Sequence, residues 1–171
     1  RVWATASAGK ADIIRSFGGT PIDRHSEDFV DVIRTATEGV GVDHVLDPIG
    51  GDHLMRSLSA CREGGNVYTF GMSSFAPSEK RRPIRTTLAW LRRKEIDPLR
   101  LMARNRALFG VHMGTWSRQD VILEQMEHLV QGVAEGHLVP VIDRVFPIEQ
   151  APAAHQHMHD GNNVGKVLFS M

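Results

Sequence analysis

The sequence predicts an α/β protein in which helices cover both faces of a parallel β-sheet. Short apolar runs alternate with amphipathic stretches through the first 137 residues. Several runs are almost continuously apolar, which is typical of strands buried on both faces. Glycine pairs follow many of these stretches, where they end helices or open turns. The predicted fold class is therefore the doubly wound, Rossmann-type parallel sheet.

The individual elements follow from this alternation. Strands are predicted at residues 2–6, 20–22, 44–47, 67–70 and 108–112. The first helix is predicted at residues 10–17, ending at the Gly18-Gly19 pair, and Leu54, Leu58 and Cys61 mark the third. Ser26 is expected to cap the second helix, because a serine oxygen accepts hydrogen bonds from the first turn.

The pattern changes near Leu138. Residues 1–137 are predicted to form an incomplete dinucleotide-binding domain, and residues 138–171 a C-terminal segment that returns to the substrate domain. A helix precedes the boundary, and its apolar stripe is expected to be buried. The stripe consists of Ile122, Met126, Leu129, Val130 and Val133.

A glycine-rich phosphate loop is expected in a dinucleotide-binding domain but is not found. No G-x-G-x-x-G spacing follows a strand and opens a helix anywhere in the sequence, although this loop normally comes after the first strand. That strand is central in the order 3-2-1-4-5-6. We therefore expect a sheet that lacks its first strand, in a chain that belongs to a longer protein.

Charge and hydropathy exclude several classes of partner. Lys and Arg together number 20, as do Asp and Glu, so the formal net charge is zero. The overall charge therefore gives no general attraction to nucleic acid or to an anionic membrane surface. The basic segments 80–83 and 92–94 are interrupted by acidic residues and are interpreted as a solvated loop. No apolar run approaches the roughly 20 residues of a membrane span.

Cysteine usage predicts a reducing compartment. The single cysteine, Cys61, excludes an intrachain disulfide, and we expect it to be a buried core residue of a cytoplasmic protein.

Ser7 and Lys10 are the first candidate binding residues. They follow the strand at 2–6 without an intervening acid, whereas an acid at this point would accept a bond from the ribose 2′-hydroxyl of NAD. A hydroxyl and an ammonium group instead suit the 2′-phosphate of NADP. The alternative is a serine that begins a helix beside an exposed lysine.

Three histidines alternate near the C-terminus. His155, His157 and His159 point to different faces if the segment is helical, as its flanking residues favour, so no metal site is predicted.

Short motifs in a fixed order resemble the medium-chain dehydrogenase/reductase superfamily, in its zinc-free quinone-oxidoreductase-like branch. The likeness covers essentially the whole chain and is strongest to the vesicle amine transport protein homologues. The motifs lie at residues 5–10, 21–23, 47–51, 68–72, 105–107, 110–114 and 163–168.

The resemblance implies a set of cofactor contacts. Lys10 would meet the 2′-phosphate of NADP with Ser7 beside it, and Arg24, where relatives often carry Tyr, would add a second phosphate contact. Pro48 stands where some relatives have Asn, so that contact is not expected here. The nicotinamide half would be met by Gly71, Met72, Ser73, Phe109, Gly110, Val111 and Asn163.

The resulting functional hypothesis is an NADPH-dependent oxidoreductase that transfers a hydride to a quinone or an enone-like double bond. No catalytic side chain is identified. A zinc-dependent alcohol dehydrogenase of the same superfamily and a nucleotide-binding relative without turnover remain alternatives. The strand at 108–112 is apolar and is expected at a sheet edge, but it has no charged residue or proline that would prevent pairing with another strand. A homodimer paired through this strand is therefore predicted.

Overall fold

The computed structural model describes residues 1–73, 96–161 and 163–171. It divides into two compact units, Arg1–Gly114 and Thr115–Met171. The basic segments at 80–83 and 92–94 lie outside the described residues. Within the described ranges, no helix is both long enough and apolar enough to cross a membrane.

Strands and helices alternate through the first unit, as the sequence predicts. The short 3₁₀ turn Ala8–Lys10 joins the first strand to the first helix. The strands are β1 (Trp3–Ala6), β2 (Thr20–Asp23), β3 (Val42–Asp47), β4 (Cys61–Thr69) and β5 (Ala107–Gly110). The helices are α1 (Ala11–Ser16), α2 (Phe29–Ala36), α3 (Asp52–Ala60) and α4 (Pro98–Met102).

All pairings of these strands are parallel. β1 pairs with β2, with Ala6 opposite Asp23, and β4 lies between β3 and β5. Among the described strands, none bridges β1 and β3, which belong to separate sheets. This is where the doubly wound order places its first strand. The predicted fold class is therefore confirmed, including the interruption of the sheet.

The helix ends depend on residues close in sequence. Gly18 follows the C-cap residue Phe17 of α1 and takes a φ of +74°, a conformation that glycine adopts without steric cost. The predicted cap of α2 is wrong: Asp28, not Ser26, accepts the Val30 N–H, at 2.9 Å. The Ser26 hydroxyl instead donates to the Asp23 carboxylate at 2.8 Å, two residues before the position that caps the helix.

Two small apolar clusters hold the first unit together. Ile22, Ile33 and Ala60 form one, and both Trp3 of β1 and Val42 of β3 pack against it. Leu58, Cys61 and Val67 form the other, between α3 and β4. Cys61 is fully buried, and burial raises the pKa of its thiol. The prediction of a core cysteine is therefore confirmed.

The second unit contains two helices and a parallel strand pair. These are α5 (Gln119–Ala134), β6 (Ile142–Pro147), α6 (Ala151–His159) and β7 (Lys166–Ser170), with β6 paired to β7. The assignment of residues 138–171 to a substrate domain stays a prediction; the compact unit that contains them begins at Thr115.

The expected burial of the α5 stripe is wrong for the described structure. Met126, Leu129, Val130 and Val133 are 47–64% exposed, and Ile122 is half-buried. Helical periodicity identifies the apolar face of a helix, but it carries no information about what packs on that face.

Candidate functional site

The phosphate-binding candidates lie together where β1 and β2 end. The N–H of Lys10 donates to the Ser7 carbonyl at 2.9 Å, which turns the chain back just after β1. The N–H of Arg24 donates to the Ala6 carbonyl, also at 2.9 Å. The structure therefore brings the backbones of Ser7, Lys10 and Arg24 to one point at the carboxyl ends of two parallel strands. This is the edge of such a sheet at which ligands bind.

A cleft of about 290 Å³ opens beside these strand ends. Ser7 lines it, together with the acidic side chains of Asp12, Asp23 and Glu27. The carboxylate of Asp23 accepts bonds from the His25 N–H and the Ser26 hydroxyl, which lower its pKa. Arg15 also lines the cleft and pairs with Asp12 at 2.8 Å, so the lining carries three carboxylates and one guanidinium.

The predicted nicotinamide-side segments also meet. The N–H of Val111 donates to the Thr69 carbonyl at 2.9 Å, and the rings of Tyr68 and Phe109 stack with centroids 5.3 Å apart. Residues 71–73 and 109–111 therefore leave adjacent strands at the same end. In the described part of the chain, Met72 and Phe109 at this end are 62% and 51% exposed.

Gly71 is required by a close approach between two loops. A β-carbon at Gly71 would lie 3.0 Å from the Pro48 α-carbon and would overlap the Pro48 carbonyl. In turn, a β-carbon at Gly50 would lie 3.0 Å from the Gly71 carbonyl oxygen. The turn after β3 and the segment after β4 thus interlock at a spacing that only glycine permits.

Sequence reasoning missed a buried polar cluster beneath these loops. Asp47, at the end of β3, is fully buried. One carboxylate oxygen accepts the N–H groups of Ile49 and Gly50 at 2.8 and 2.9 Å. The other accepts the Ser57 hydroxyl at 2.7 Å and His53 Nδ1 at 3.1 Å. Burial by itself raises the pKa of Asp47, but bonds from Gly50, Ser57, His53 and Ile49 outweigh it and hold the pKa below its ordinary value.

This cluster contains Ser, His and Asp side chains but lacks the geometry of a hydrolase triad. Ser57 is fully buried and donates directly to Asp47, so the histidine is not interposed between hydroxyl and carboxylate. The sequence signal was an aspartate at a strand end, with His53 and Ser57 four residues apart on the next helix.

The remaining candidate, Asn163, belongs to the second unit. Its side-chain amide donates to the Gly165 carbonyl at 3.0 Å. Asp143 fixes the neighbouring backbone, since its carboxylate accepts the Val164 N–H at 2.9 Å and bonds His157 Nε2 at 2.6 Å. The bond from Val164, followed by that from His157, lowers the pKa of Asp143.

The histidine motif lies on α6, and its middle member is the one that pairs with Asp143. Among the residues that the structure describes, no three His, Cys, Asp or Glu side chains converge in a way that could hold a metal ion.

Comparison with known proteins identifies the class. Residues 19–168 match the family model of zinc-binding dehydrogenases, and the chain belongs to this family. The resemblance to the medium-chain dehydrogenase/reductase superfamily is therefore confirmed.

Particular relatives and structures agree with this assignment. The chain is 34% identical over 170 residues to the rat synaptic vesicle membrane protein VAT-1 homolog, covering 98% of this chain and 42% of that protein. It is 28% identical over 167 residues to a Burkholderia 2-haloacrylate reductase, covering 94% and 44%. The chain thus spans less than half the length of these curated relatives.

Two solved structures share the fold. A quinone oxidoreductase from Pseudomonas syringae superposes with a TM-score of 0.77 at 19% identity, covering all of this chain and 49% of that one. A mycobacterial protein solved in complex with NADPH superposes with a TM-score of 0.76 at 23% identity, covering all of this chain and 50% of that one.

Proposed function

We propose that the protein containing this chain is an NADPH-dependent oxidoreductase that transfers a hydride to a quinone or an enone-like polarised double bond. The observation that carries the proposal is the meeting of Ser7, Lys10 and Arg24 just beyond β1 and β2. Family membership supports oxidoreductase chemistry. The relatives named as a quinone oxidoreductase and a 2-haloacrylate reductase support the acceptor class.

The chemistry of these residues fits a 2′-phosphate. Lys10 is half-buried and Ser7 lines the cleft, so a point charge and a hydroxyl donor are available to one phosphate group. No acid occurs between Trp3 and Ala11, so the ribose acceptor that NAD requires is not supplied by β1 or the turn after it. Arg24 is exposed beside them and adds positive charge.

The opposite half of the cofactor would be held mainly by backbone. Gly71, Met72 and Ser73 would face it from the segment after β4, and Phe109, Gly110 and Val111 from the end of β5 and the residue after it. The role of Asn163 stays a prediction from the resemblance alone. When bound, the dihydronicotinamide supplies the hydride. The role proposed for this chain is to hold cofactor and acceptor in reacting geometry.

The first experiment compares cofactors on the complete gene product. Steady-state reduction of a simple quinone should give a higher kcat/KM with NADPH than with NADH. Equal values for the two cofactors would contradict the proposed phosphate site. No turnover with either cofactor, despite binding of NADPH, would favour a nucleotide-binding relative without enzymatic activity.

A zinc-dependent alcohol dehydrogenase is the second candidate, favoured by the description of the matching family as zinc-binding. Elemental analysis of the purified complete protein distinguishes the two. We expect no stoichiometric zinc, whereas about one zinc per chain together with alcohol oxidation would establish the alternative.

We further propose that the protein is a cytoplasmic homodimer. β5 is the edge strand of its described sheet, so a second copy can continue the sheet across a two-fold axis. The single cysteine is compatible with a reducing compartment.

A further inference from the structure

Among the described residues of the first unit, Asp47 is the most deeply buried charged group, and the proposed hydride transfer does not use it. Its exposed fraction is 0%, and four hydrogen bonds converge on its two carboxylate oxygens. Burial of a carboxylate is costly unless every lone pair is engaged. The hydrogen bonds to Asp47 offset this cost and fix the groups that donate them.

The carboxylate joins a turn to a helix. One oxygen holds the N–H groups of Ile49 and Gly50, which fixes the turn at residues 48–51. The other oxygen holds Ser57 and His53 on α3. Because a carboxylate only accepts hydrogen bonds, Nδ1 of His53 carries the proton in this contact. The turn consequently cannot shift relative to α3 without breaking these bonds.

The same turn supports the segment after β4. The Asp47 carbonyl accepts the Phe70 N–H at 3.2 Å, and the Pro48 carbonyl accepts the Ser73 N–H at 3.4 Å. Between these two bonds, Gly71 presses against the backbone of Pro48. Residues 71–73 therefore rest on a turn whose position is set by Asp47.

We propose that Asp47 is a positioning residue for the nicotinamide-side segment: through the turn at 48–51 it fixes Gly71–Met72–Ser73 relative to β5. This inference rests on the proposed function, which assigns residues 71–73 to the nicotinamide half of the cofactor. It differs from a general structural role because it predicts that one half of the ligand is affected and the other is not.

Two ligands separate these effects in binding titrations with the complete gene product. NADPH carries both halves, whereas adenosine 2′,5′-bisphosphate carries only the phosphate-bearing adenosine half. In Asp47→Asn the amide oxygen can still accept from Ile49 and Gly50, but the amide nitrogen cannot accept from Ser57 or His53. We expect the Kd for NADPH to rise about tenfold, the scale of one or two lost hydrogen bonds, while adenosine 2′,5′-bisphosphate binds within about twofold of wild type.

Two further variants complete the test. Ser57→Ala removes one donor and leaves the turn bonds intact, so a smaller but equally selective weakening is expected even if Asp47→Asn fails to fold. Asp43→Asn is the matched control, because Asp43 lies on the same strand, is exposed and pairs with Arg62 away from the turn at 48–51. It should change neither Kd.

The outcomes distinguish this inference from the proposed function. Equal weakening of both ligands in Asp47→Asn and Ser57→Ala, or no weakening of either, would overturn the positioning role while leaving the cofactor assignment intact. Failure of the wild-type protein to bind either ligand would overturn both. Weaker binding of NADPH but not of adenosine 2′,5′-bisphosphate, accompanied by a lower kcat for quinone reduction, would establish the positioning role of Asp47.

Discussion

Replacing Lys10 with alanine should remove most of the preference for NADPH. Lys10 is half-buried, so its contact with a phosphate is partly protected from solvent. A charge-assisted bond contributes about 1.5–3 kcal/mol; partial exposure places Lys10 in the lower part of that range. The expected loss is about 10- to 30-fold in kcat/KM for NADPH.

NADH should be nearly unaffected by the same substitution, because it has no group for the ammonium to meet. The matched control is Arg62→Ala, which removes a cation from the amino-terminal part of β4, where it pairs with Asp43. Ser7→Asp is the complementary change, since a carboxylate there adds a ribose acceptor and repels the phosphate. That variant should shift preference toward NADH.

The assay is the ratio of kcat/KM for the two cofactors in wild type and variants. If Lys10→Ala retains the wild-type ratio, Lys10 is a solvated residue at a helix start. In that case the meeting of the three strand-end residues has no bearing on cofactor choice.

Three other predictions concern folding, assembly and pH. The 171 residues alone should unfold without a sharp transition and without stabilisation by NADPH, since β1 and β3 are not joined in one sheet; a cooperative melt that NADPH raises would argue against this. The complete protein should scatter light as a dimer at micromolar concentration, and a monomer there would contradict pairing through the β5 edge. The lowered pKa of Asp47 contributes stability above the ordinary aspartate pKa of about 4, and this is lost as pH falls through the lower folded value. Wild type should therefore lose more unfolding free energy than Asp47→Asn between about pH 5 and pH 2 in urea titrations.

The order of strands and helices followed from local pattern, because apolar runs and glycine pairs mark strands and helix ends directly. Errors arose where two nearby groups compete for the same role. Ser26 and Asp28 are both good caps by type, and the outcome depends on Asp23 engaging the Ser26 hydroxyl. That contact depends on the turn after β2, which residue preferences alone do not specify.

The candidate site also contains residues that the sequence predicted and residues that it did not. Ser7 and Lys10 were predicted from their place after a strand, and the structure brings them to one point with Arg24. The Asp47 cluster was not predicted, because its members are separated by a strand end, a turn and a helix. For α5, the spacing of apolar residues correctly predicts which side of the helix is apolar. It does not predict whether another element packs on that side.

Because Cys61 is buried, the reactivity of its thiol measures how often the surrounding structure opens. The sequence has no other cysteine, and this thiol is fully covered at the start of β4, with a raised pKa. A thiol-specific reagent can therefore react only when β4 separates from α3. The rate at which Cys61 itself is labelled in the complete protein, compared with its rate in the unfolded chain, gives the free energy of this opening.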